Sequence, residues 1–107
     1  MNGKSIIIEI ATTKYEIDKQ LVSNAMDALQ TLCGIKDGFL ISNAMERFGW
    51  AFFKVLIKNE LFSAMQLKLG DQITGSKGKK PEEKFLSFMK NFFEYRNAKV
   101  KVKLLED

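Results

Sequence analysis

The stretch DGFLISNAMERFGWAFFKVLIKNELFSAMQLKL, residues 37–69, decides the fold, because it is the longest segment of the chain with a sustained apolar pattern. Ile41, Met45, Phe48, Phe52, Val55, Phe62 and Met65 form one stripe at helical spacing. Leu40, Ala44, Ala51, Leu56 and Leu61 widen that stripe on either side. The spacing predicts a long helix, bent or split at Gly49. Between residues 48 and 57 nearly every direction of such a helix is apolar, which the surface of a small monomer does not satisfy. The expectation is a central helix or a contact between copies in a homo-oligomer.

Upstream, residues 5–11 (SIIIEIA) are β-branched and place Ile6, Ile8 and Ile10 on one face of a strand. Thr13 and Glu16 then form a capping-box pattern ahead of an apolar series, predicting a helix over 14–33 that Gly34 ends. Downstream, residues 70–80 (GDQITGSKGKK) carry three glycines and read as a flexible loop. Pro81 opens a third helix whose apolar face is Phe85, Phe88, Met89, Phe92 and Phe93, with Asn97 as its stop. Residues 98–105 alternate strictly, with Val100, Val102 and Leu104 opposite Lys99, Lys101 and Lys103. That is a half-buried strand suited to pair with the first. The expected fold is therefore α+β and mainly helical: a β-α-α-α-β order with three helices flanked by an N-terminal and a C-terminal strand.

The 107 residues suit a single domain, 1–107, and a mean hydropathy of -0.14 suits a soluble globular chain. No apolar run is long enough to span a bilayer, and the N-terminal segment is too short and too charged for a signal peptide. The single cysteine, Cys33, excludes an internal disulfide and sits among Leu29, Leu32 and Ile35 as a packed thiol. The cytoplasm is the expected compartment.

Charge is unevenly placed. Residues 1–76 hold 8 Lys+Arg and 8 Asp+Glu, whereas residues 77–103 hold nine bases and three acids. Local density is what a phosphate backbone responds to. Lys77, Lys79, Lys80, Lys90, Arg96, Lys99, Lys101 and Lys103 are accordingly the candidate nucleic-acid contacts. Only two of the seventeen bases are arginine, so backbone contact is expected more than base reading. Phe48, Trp50, Phe52, Phe53 and Leu56 are the candidate protein interface.

Little else carries chemistry. The chain has no histidine, which removes imidazole-assisted nucleophiles and imidazole metal sites, and one cysteine makes no thiolate metal site. No metal, cofactor or catalytic group is expected. Residues 70–77 (GDQITGSK) imitate a phosphate-binding P-loop, but Lys and Ser are transposed and the segment follows a helix. Residues 34–48 (GIKDGFLISNAMERF) resemble the turn and second helix of ribbon-helix-helix DNA-binding proteins. That family's groove-facing bases would fall on Glu9 or Glu16, which repel phosphate, so none of its functional residues carries over.

The functional expectation is a small non-catalytic protein that contacts nucleic acid or a nucleoprotein complex through its lysine-rich C-terminal face. The alternative is a protein-binding inhibitor or adaptor, of the kind mobile elements encode, or an oligomeric assembly subunit. The inhibitor or adaptor would use the aromatic surface of residues 48–57 or turn the basic face on an acidic partner, and the subunit would assemble through the apolar second helix.

Overall fold

The computed structural model describes residues 5–105. Its elements are β1 (Ile6–Thr12), α1 (Tyr15–Cys33), β2 (Phe39–Ile41), β3 (Met45–Arg47), β4 (Trp50–Ile57), α2 (Asn59–Thr74), α3 (Pro81–Tyr95) and β5 (Lys101–Leu105). The α+β class and the three helices agree with the expectation. The strands do not: the sheet has five, interspersed among the helices and all antiparallel to their neighbours.

The long helix expected over 37–69 is replaced by β2, β3, β4 and the first part of α2. β4 runs between two neighbours, with Ala51, Phe53, Val55 and Ile57 buried under the helices and Trp50, Phe52, Lys54 and Leu56 on the other side. A central strand that is apolar on both sides takes the place of the all-apolar helix behind the oligomer expectation, and its outer side, with Trp50, Phe52 and Leu56, lies uncovered. The ribbon-helix-helix resemblance falls, because its second helix is here an edge strand.

That edge strand is interrupted. Ile41 pairs with Val55 and Met45 with Phe52, so four steps along one chain oppose three along the other. The extra residue is a β-bulge in 42–44. Ser42 bridges the gap: its N–H donates to the Lys54 carbonyl at 2.9 Å and its Oγ accepts from the Lys54 N–H at 2.8 Å.

If β2 and β3 are counted as one broken strand, the spatial order is β2/β3, β4, β1, β5. β1 and β2 both lie antiparallel to β4, and β4 and β5 both lie antiparallel to β1. This is a doubled split βαβ arrangement in which the α2–α3 pair makes the second crossover. All three helices contribute to one core with the sheet, including Met26 and Leu29 of α1, Leu61 and Met65 of α2, and Met89 and Phe93 of α3. They therefore cover one face of the sheet, and no described element covers the other.

The ends of the helices follow from local chemistry. α1 stops in a Schellman motif: Gly34 takes φ 70°, its N–H bonds the Thr31 carbonyl at 3.1 Å, and the Ile35 N–H bonds that of Gln30 at 2.9 Å. Asn97, at φ 71°, closes α3 by the same scheme onto Glu94 and Phe93, as expected. The capping box does not form. β1 runs on to Thr12, whose hydroxyl donates to the buried Asp18 carboxylate and accepts from the Lys14 N–H at 2.9 Å. α2 continues through Gly70 to Thr74, which shortens the loop expected at 70–80 to residues 75–80. The far end of that loop is tied to α3, because Glu83 Oε1 accepts from the Lys79 N–H at 2.8 Å.

Candidate functional site

The uncovered sheet face is set by strand register. At one end Leu40, Leu56, Ile7 and Leu105 form an apolar row across the strands. The middle row is Lys54, Glu9 and Lys103. The next is Met45, Phe52, Ala11 and Lys101, and beyond it Arg47 pairs with Trp50 at the hairpin end. One acid therefore faces four bases, all four of them exposed.

The hairpin end concentrates the chemistry. The Lys101 ammonium stands 5.0 Å from the centre of the Trp50 ring, a cation–π distance. Arg47 Nη2 lies 3.8 Å from Met45 Sδ on the edge strand. Phe52 sits between them, one strand from Lys101, and only Ala11 intervenes. A delocalised ring with cations beside it accepts two parts of a nucleotide at once: the base by stacking and the phosphate by charge.

The eight basic candidates do not share this face. Lys101 and Lys103 lie on it, because Val102 and Leu104 turn the opposite way and pack against the core. Lys99 is exposed but precedes β5, between buried Ala98 and Val100. Lys77, Lys79 and Lys80 are exposed on the α2–α3 loop. Lys90 has its own partner, Glu94 at 4.0 Å, and the Arg96 guanidinium stacks 3.9 Å from the centre of the Phe92 ring. Since α3 packs on the covered side of the sheet, Lys90 and Arg96 do not join the strand lysines.

The interface candidates divide in the same way. Trp50, Phe52 and Leu56 lie on the uncovered face. Phe53 points into the core, 1% exposed and edge-to-face with Tyr15 at 5.7 Å, so it presents no surface. Phe48 occupies the β3–β4 turn and is 93% exposed. Arg47, Lys54 and Met45 also lie on this face, unheralded by the basic and aromatic segments. Their signal was hidden because they lay in a presumed helix, outside the basic C-terminal segment.

Elsewhere, an apolar cavity of about 460 Å³ opens between α2 and α3, with Phe62, Ile73 and Phe85 in its wall and Lys79 and Lys84 in its lining. Cys33 is buried, and burial pushes its thiol pKa up while Lys68 pulls partly the other way. Among the described residues no cluster of His, Cys, Asp or Glu could hold a metal ion, and no helix is long and apolar enough to cross a membrane. Compared with protein-family models, curated proteins and solved structures, the chain matches none.

Proposed function

We propose that this protein is a non-catalytic, cytoplasmic nucleic-acid-binding protein whose uncovered sheet face holds an unpaired strand. The observation that carries the reading is the Lys101 ammonium 5.0 Å from the Trp50 ring, which joins the lysine-rich segment to the aromatic segment on one surface. Trp50 and Phe52 supply stacking faces, and Arg47, Lys54, Lys101 and Lys103 supply the phosphate contacts. Flat aromatic platforms flanked by cations favour single strands, whose bases are free to leave the stack. The fold itself is no argument for this, since one topology hosts many functions.

The test is fluorescence anisotropy of labelled single-stranded and duplex oligonucleotides against the full chain and Trp50→Ala. The single strand should bind more tightly than the duplex. Losing the indole should weaken single-strand binding by about 5-fold to 150-fold, the range of one base–aromatic stack. No binding by the full chain at low salt refutes the reading.

One observation favours a second reading. The row Leu40, Leu56, Ile7 and Leu105 is apolar across four strands, with Leu40 58% exposed. Such a row suits a protein partner or a second copy of the chain. Under that reading Leu56→Glu alters the mass seen by light scattering and leaves oligonucleotide binding intact.

A further inference from the structure

The β3–β4 hairpin turns through only two residues, Phe48 and Gly49, because Arg47 pairs directly with Trp50. Both residues have positive φ, 54° and 81°, as the tight hairpin turn that matches strand twist demands. Gly, Asn and Asp fill such positions readily, whereas a bulky aromatic in the left-handed region is a strained choice. Phe48 gains no packing in return, being 93% exposed at the tip. Its ring is thus held out in solvent at a conformational cost, beside the Arg47–Trp50 pair and at the basic end of the uncovered face.

We infer that Phe48 is a further stacking group for nucleobases, placed beyond the sheet edge to hold a base at one end of the bound strand. The inference rests on the single-strand reading above and deepens it: the ligand is an unpaired polynucleotide that runs off the platform at the hairpin. Four bases against one acid on the adjoining face fit a polyanion better than an acid-poor protein surface. An aromatic held at positive φ and 93% exposed adds little to the stability of the domain, and backbone strain of this kind gathers at functional sites.

The experiment uses the full chain, Phe48→Asn and Phe48→Trp, with Trp50→Ala beside them and a labelled oligothymidylate of about ten nucleotides as the probe. Phe48→Asn should bind at least about 5-fold more weakly, keep the salt dependence of the parent and melt no lower. Phe48→Trp should retain the affinity. If Phe48→Asn binds like the parent while Trp50→Ala is impaired, the inference is overturned and the sheet-face reading stands. If the parent binds no oligonucleotide, the sheet-face reading fails and takes this inference with it. If Phe48→Asn lowers the mass seen by light scattering without changing oligonucleotide affinity, the tip docks a second copy and the inference is overturned.

Discussion

Replacing Lys101 and Lys103 together by glutamine removes two of the four bases on the uncovered face and leaves the other basic clusters untouched. Each phosphate contact on a single strand contributes about -0.7 to the slope of log affinity against log salt. Contacts from Arg47, Lys54, Lys101 and Lys103 give the parent a slope of about -2.8, a roughly 50-fold loss of affinity between about 50 and 200 mM salt. The double variant retains two contacts, so its slope halves to about -1.4 and its loss falls to roughly 7-fold. Both side chains are exposed, so stability should change by no more than about 0.5 kcal/mol. A companion variant, Lys77→Gln with Lys79→Gln and Lys80→Gln, removes three charges from the α2–α3 loop on the helical side. Its slope should stay with the parent. Anisotropy titrations at four or more salt concentrations give all three slopes. An unchanged slope in the sheet variant together with a reduced one in the loop variant would refute the reasoning and move the site to the loop.

Two further predictions concern the fold. Gly38→Ala should destabilise by about 1–3 kcal/mol in denaturant melts, because a Cβ there meets Leu61 Cβ at 2.9 Å and Ile35 Cγ2 at 3.0 Å. Gly70→Ala should instead stabilise by about 0.5–1 kcal/mol, since Gly70 lies inside α2 and its added Cβ meets nothing within 4 Å. Cys33 supplies a pH signature. Its folded pKa is raised from 9.0 by burial, so its contribution to stability is present below that value and is lost as pH rises above it. The parent should therefore lose more stability between about pH 8 and 10 than Cys33→Ala does, and the folded thiol should resist alkylation at neutral pH.

How legible the fold was depended on whether a segment kept one period. β1, α1, α3 and β5 did, and the pairing of the first and last strands followed from two alternating runs with their apolar sides in register. Gly34 and Asn97 marked true helix ends because each supplies the left-handed residue a Schellman motif needs. The middle of the chain kept no single period. In β2 the odd positions Phe39 and Ile41 face the core, whereas in β3 the odd positions Met45 and Arg47 face away. The bulge at 42–44 reverses the phase, and a broken alternation over nine residues passes for a helical stripe. β4 adds to the confusion, because a strand apolar on both sides is indistinguishable by periodicity from a buried helix. Helical periodicity and helical structure coincide only beyond Lys58, where α2 begins.

The candidate site was half legible for a related reason. Lys101 and Lys103 could be read from alternation, and Trp50 and Phe52 from their aromatic character, but nothing local links segments so far apart in sequence. The link is the strand order. β1 lies between β4 and β5, and its register sets Ala11 opposite both Phe52 and Lys101. From the far side of Ala11 the Lys101 ammonium comes to 5.0 Å from the centre of the Trp50 ring. Part of the basic segment, Lys101 and Lys103, and part of the aromatic segment, Trp50, Phe52 and Leu56, thus share one surface. Choosing between a nucleic-acid binder and a protein binder becomes a choice of which row of that sheet does the binding: the cationic aromatic end or the apolar row of Leu40, Leu56, Ile7 and Leu105. Arg47, Lys101 and the strained Phe48 all belong to the first.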